Sequence, residues 1–246
     1  MHLQQGLKSQ FWYDLVERYA MMLVIGSTIL LLSSFFNSLV IAPIDFQQGD
    51  VYRIMFLHVP CAAISLMFYA LVGAFSAGYL ITRVTLFDLF ATSFAKVGLL
   101  FTALSLITGA LWGKPTWGTW WVWDARLTSQ LLLFTIYYSY LSGKKIIKPI
   151  ERSRLFMSIF AVIGLIDLPI IHYSVQWWQT LHQAPSIFKF AKPSIANEML
   201  WVLIYAFVSF FTFALSLFFL TLRNELVQYC QHKRWLQECM KSISLS

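Results

Sequence analysis

Six predominantly apolar runs appear along this chain, separated by short polar connections: roughly 20–42, 55–82, 90–112, 127–142, 155–171 and 199–222. An α-helix rises about 1.5 Å per residue, so about 20 apolar residues cross a hydrocarbon layer of about 30 Å, and these stretches predict transmembrane helices. The fourth and fifth are short for a crossing. The fourth reaches full length only if its helix begins near Trp120, and Pro169 is expected to kink the fifth or to end it nearby. The predicted fold class is therefore an all-α integral membrane protein of six transmembrane helices with an outward-facing tryptophan-rich loop. It forms one polytopic membrane domain over 1–246, with its core at about 40–222.

Composition strengthens this reading. The chain is 59% hydrophobic and only 12% charged, whereas soluble domains carry about 25% charged residues. The net charge of +7 would raise the question of nucleic acid in a soluble protein. Here its placement follows topology, so no nucleic-acid partner is expected. With both termini cytoplasmic, thirteen lysines and arginines fall inside, many of them in KKIIKPIERSR, and five fall outside: Arg53, Lys114, Arg126, Lys189 and Lys192. That is the bias expected of cytoplasmic loops. Cys61, Cys230 and Cys239 form no C-x-x-C or C-x-x-C-H, which excludes a redox pair and covalent haem attachment. The N-terminal segment lacks the pattern of a cleaved signal, and the first span is expected to target the chain. No glycine-rich phosphate loop appears, so ATP hydrolysis is not expected of this chain.

Chemistry is then left to three outer segments: IAPIDFQQGDVYRIMFLHVP (41–60), WGKPTWGTWWVWDARLTS (112–129) and HYSVQWWQTLHQAP (172–185). Trp112, Trp117, Trp120, Trp121 and Trp123 fall within twelve residues, and Trp177, Trp178 and Trp201 lie on the same side, against only Trp12 and Trp235 inside. An aromatic belt accounts for tryptophans at both membrane faces, not for this asymmetry. A dense indole surface also suits stacking on a large planar ligand such as a porphyrin. His58 sits near the outer start of the second span and His182 in the third outer segment. Two imidazoles facing each other across about 4 Å can fill both axial positions of a haem iron. From spacing alone His172 competes with them, with a polar cap or supporting hydrogen bond as its other role. Arg53 and Arg126 fit either haem propionates or helix-end snorkelling. Asp124 fits a cap of the fourth helix or an ion pair. Asp167, within the fifth span, fits a functional acid or a solvated interfacial one.

The stretch WGTWWVWDAR with its upstream WGKP strongly resembles the signature of the tryptophan-rich WWD-domain family of membrane haem-handling proteins in cytochrome c maturation, which includes CcmC, CcmF and the synthase-type CcsA. Length and span number, with DFQQGDVYRIMFLHVP and LPIIHYSVQWWQTLHQ, single out the CcmC branch over about residues 40–185. The resemblance implies a bacterial inner-membrane protein with a periplasmic haem site, working with the ABC-type subunits CcmA and CcmB and the small membrane protein CcmD. Haem b would be held by His58 and His182 as axial ligands and presented to the haem chaperone CcmE. The implied binding set adds Trp112, Trp117, Trp120, Trp121, Trp123, Asp124, Arg53 and Arg126. Two other functions stay open: a haem lyase that itself forms the haem–chaperone bond, and a subunit through which haem crosses the bilayer.

Overall fold

The computed structural model describes residues 9–182, 195–231 and 233. His2, His232, Trp235, Cys239 and the basic residues Lys8, Lys189, Lys192, Arg234 and Lys241 lie outside the described residues. Seven α-helices follow one another: α1 (Ser9–Phe36), α2 (Met55–Thr82), α3 (Thr85–Trp117), α4 (Ala125–Ile146), α5 (Ile150–Gly164), α6 (Asp167–Trp177) and α7 (Asn197–Cys230). A π-helical turn at Asn37–Ile41 extends α1, and a 3-10 turn at Asp50–Ile54 leads into α2. No strand occurs among the described residues.

Among the described residues five helical segments are long and apolar enough to cross a membrane: Ser9–Ile41, Asp50–Thr82, Thr85–Trp117, Ile150–Trp177 and Asn197–Cys230. The segment expected as the fourth crossing is the helix α4, 22 residues long. It is too rich in Ser, Thr, Gln and Tyr to qualify by apolarity, because its polar groups are used against neighbouring helices. Tyr137 donates to the Ser65 carbonyl at 2.8 Å, and Gln130 donates to the Ser65 and Ser105 hydroxyls at 3.1 and 2.9 Å. The expected start near Trp120 is corrected: Asp124 caps the helix by accepting the Leu127 N–H at 2.8 Å, and α4 gains its length at the far end instead. There Lys144 is drawn onto the buried Asp88.

The fifth expected crossing is interrupted. α5 and α6 are two pieces divided at 165–166, so Pro169 sits in the first turn of α6, where the missing N–H costs little. The break precedes the proline rather than falling on it.

α2 and α3 form the centre, joined by a two-residue turn in which Arg83 is left-handed and donates its N–H to Tyr79 O at 2.8 Å. Phe68 meets Phe94 edge-on, Phe75 stacks on Phe94, and Phe94 stacks on Phe218 of α7 at 3.9 Å. Gly98 lets α4 approach α3, since a Cβ there would meet the Tyr137 hydroxyl at 2.2 Å. α1 touches the bundle through one narrow stripe, Tyr13, Val16, Ala20, Ser27 and Ser34, laid along α7. Small residues bring those backbones close, and Ser27 donates to Ser216 at 3.0 Å. The remaining faces of α1, with Ile25, Ile29 and Leu32, are exposed, as a lipid-facing helix requires.

The ends of the bundle differ in chemistry. One gathers the starts of α2 and α4 with the ends of α3 and α6, over a small cluster of Phe56, Met199, Leu203 and Ala206. The other gathers the charged residues Asp88, Lys96, Lys144, Arg154, Arg223, Glu225 and Glu17.

Candidate functional site

The three segments singled out in the sequence converge on one pocket, open at its mouth. Its wall carries His58 from α2, Trp112 from α3, Trp117 and Trp121 from the tryptophan loop, Arg126 from α4, and His182. Apolar residues such as Leu66, Leu106 and Ile171 fill the spaces between them.

His58 and His182 face each other with ring centres 6.2 Å apart and planes inclined by 31°. Two imidazoles that ligate one metal from opposite sides, each at about 2 Å, place their ring centres roughly 6 Å apart. Each ring is held edge-on by an indole: His58 by Trp112 at 5.8 Å and His182 by Trp117 at 5.8 Å. The His58 Nδ1 lies 3.1 Å from the Thr108 hydroxyl. Among the described residues no three His, Cys, Asp or Glu side chains gather as ligands for a bare metal ion. A lone pair of histidines suits an iron whose other four positions are supplied by a macrocycle.

The tryptophan loop owes its shape to local chemistry. α3 ends at Gly118, whose φ of +78° is a left-handed conformation that a side chain disfavours, and its N–H returns to Lys114 O at 3.0 Å. The Thr119 hydroxyl donates to Trp121 O at 3.0 Å. On the facing side, Asp45 accepts the N–H groups of Gln47 and Gln48, at 2.9 and 2.8 Å, and so turns the Gln48 side chain into the pocket. There Gln48 Oε1 accepts the Trp112 indole N–H at 2.9 Å. Two further donors, Trp121 Nε1 and Arg126 Nη1, are buried without an acceptor. Buried polar atoms are nearly always paired, and these two belong to pocket residues, as a site for a ligand carrying acceptor groups requires.

Other expected residues are positioned differently. Trp120 and Trp123 are 55% and 77% exposed, outside the pocket wall, with Lys114 over the Trp120 ring. Asp124 is the α4 cap on one oxygen, while its other oxygen is buried without a donor. Arg53 bonds Asp50 at 2.9 Å and the Ser38 carbonyl at 3.4 Å. His172 is exposed and packs on Tyr173, away from the pocket wall. Asp167 is 4% exposed at the first residue of α6, and neither carboxylate oxygen has a hydrogen-bond partner. Cys61 and Cys230 are buried free thiols.

Four contributors were not anticipated: Gln48, Ser105, Thr108 and Gln130. A signal for two of them was present. Ser105, Thr108 and Trp112 recur at helical spacing within an apolar run, which marks one face of α3 as polar inside the bundle.

Comparison with known proteins gives the same family from independent information. The profile of the family described as heme exporter protein C, CcmC, matches residues 3–237. A protein of Marchantia polymorpha described as a putative cytochrome c biosynthesis ccmC-like mitochondrial protein is 45% identical over 210 residues, covering 85% of this chain and 89% of the relative. The heme exporter protein C of Haemophilus influenzae is 40% identical over 83% of each chain. That of Escherichia coli K12 is 34% identical over 227 residues, covering 92% of this chain and 91% of the relative. With this match along nearly its whole length, the chain belongs to the CcmC family.

Proposed function

We propose that this protein binds haem b between His58 and His182 at the outward face of the bacterial inner membrane and presents it to the haem chaperone CcmE during cytochrome c maturation. The observation that carries the reading is the 6.2 Å separation of the two imidazoles across an indole-walled pocket. Haem here is cargo rather than a resident cofactor. Bound, it supplies the iron and a flat apolar face. Trp112, Trp117 and Trp121 cover the macrocycle, and Arg126, with its unpaired buried nitrogen, takes one propionate. Arg53 takes the second propionate by exchanging its partner Asp50, whose side chain is 74% exposed and therefore weakly held. The exposed Trp120 and Trp123 lie at the surface where a chaperone can meet the haem edge.

In this reading α4 completes six crossings of one polytopic domain, both termini are cytoplasmic, and the pocket is periplasmic. CcmA, CcmB and CcmD act as partners, with nucleotide hydrolysis supplied from outside this chain. Presentation is favoured over passage of haem through the helices because the Gln130, Ser65 and Ser105 hydrogen bonds lie beside the pocket. Beyond them the core is closed by Phe68, Phe94 and Phe101.

The test is the absorption spectrum of the purified protein. His58→Ala and His182→Ala are each expected to abolish the six-coordinate haem signal, whereas His172→Ala retains it. A wild-type spectrum in both ligand variants refutes the assignment. Accessibility labelling that puts the tryptophan loop in the cytosol refutes the orientation.

A further inference from the structure

A histidine ligand works only if the correct ring nitrogen faces the metal, and in a neutral imidazole the hydrogen-bonding partner of the other nitrogen decides which one that is. We propose that Thr108 is the positioning residue that locks His58 in the tautomer presenting Nε2 to the haem iron. This inference rests on the haem reading of the pocket.

The bond directions follow from the hydroxyl's own inventory. Thr108 lies in the interior of α3, and its hydroxyl donates its single hydrogen to the Leu104 carbonyl at 2.7 Å. A hydroxyl that has donated its hydrogen can only accept further bonds. The His58 Nδ1, 3.1 Å away, is therefore the donor and carries the ring hydrogen, and the Ser105 backbone, one turn earlier on α3, is a second hydrogen-bonding partner of the same ring. Nε2 is left with its lone pair for a metal. Threonines that bond a carbonyl one turn back are routine in membrane helices, and Thr102 and Thr116 do the same here. Thr108 differs in that its remaining acceptor capacity meets an imidazole from another helix. The next residue adds a steric limit: a Cβ at Gly109 would stand 3.0 Å from His58 Cε1, so α3 presents a bare backbone where the ring lies. With Trp112 against the ring as well, one face of α3 supplies the acceptor, the space and the edge contact that set the angle of the ring.

Such a bond also makes the imidazole a stronger electron donor, which favours ferric over ferrous iron. Thr108 thereby bears on the oxidation state in which haem is held as well as on its retention.

The experiment uses the full-length protein loaded with haem b, reading haem affinity, the absorption spectrum and the midpoint potential, with thermal unfolding to check folding. Thr108→Val keeps the shape and removes the acceptor. It is expected to weaken haem binding roughly 10–100-fold, the usual effect of losing such a supporting group, and to raise the midpoint potential. Thr108→Ser is expected to restore both. A Thr108→Val protein with wild-type affinity and potential, alongside a His58→Ala protein that has lost the six-coordinate signal, overturns this inference alone. A His58→Ala protein that keeps the signal overturns the ligand reading and this inference together. If Thr108→Val does not accumulate, His58→Gly with and without Thr108→Ala, loaded with haem and supplied with imidazole or 1-methylimidazole, reads the same bond, because the methylated ring has no second N–H to donate. The advantage of imidazole over 1-methylimidazole is expected to shrink when Thr108 is replaced, and an unchanged advantage overturns the inference.

Discussion

The two ends of the helical bundle treat buried charge differently. At the end away from the pocket, charges close on one another. Asp88 of α3 is held by Lys144 of α4 and by Arg154 of α5 at 3.3 Å, Lys96 meets Glu225 at 2.5 Å, and Arg223 meets Glu17. At the pocket end, donors on Trp121 and Arg126 are buried and have no acceptor. An unmade hydrogen bond in a buried place costs about 1–3 kcal/mol, so the pocket end is destabilised by itself and recovers that energy when a ligand supplies acceptors. One end closes its charges in ion pairs and the other keeps buried donors unpaired.

This contrast is open to attack from both sides. The largest effect is expected at Asp88. Asp88→Asn removes the charge between two buried cations, and breaking such a group costs about 3–5 kcal/mol. Thermal unfolding in detergent should fall accordingly, while haem affinity per folded molecule stays at the wild-type value. Loss of haem binding without loss of stability would contradict the division of labour. Next comes Arg126→Gln, which does not lower the unfolding temperature of the haem-free protein and weakens haem by about 1.5–3 kcal/mol, the range for a charged hydrogen bond. Titration with the dimethyl ester of haem serves as control, since the variant and the parent should bind that ester alike. A smaller effect, about 1 kcal/mol from the hydrogen bond, is expected for Trp121→Phe, which removes the indole N–H together with the five-membered part of the ring. Equal affinity in the parent and in this variant would remove Trp121 from the ligand-facing donors. The smallest is Glu17→Gln, about 0.2–1 kcal/mol in stability, because both side chains of that pair are about a third exposed to solvent.

The apolar runs made the membrane class legible, and with it the five helical segments among the described residues that are long and apolar enough to cross, since hydropathy measures the property lipid selects for. α4 was harder to bound for two reasons rooted in tertiary contacts. Its start is set by the Asp124 carboxylate on Leu127 N–H, and its far end is extended where Lys144 meets Asp88, 56 residues away in sequence. The role of Asp124 as a cap was readable, but that it stops the helix short of the tryptophans was not. Within the site, His58, His182 and the indoles stood out because such residues are costly or conspicuous at a membrane edge. Gln48 and Thr108 did not, because glutamine and threonine are ordinary in loops and helices. Their significance lies in the atoms they meet across the pocket, on Trp112 and His58.

The interruption between α5 and α6 makes this crossing a jointed rod instead of a stiff one. α6 has 11 residues, a lever about 16 Å long at 1.5 Å per residue. A rotation of about 10° at the joint would swing its tip by roughly 3 Å, half a helical turn. The tip bears Trp177, and His182 follows five residues later. Any tilt at that joint would thus be magnified at the rim that bears Trp177.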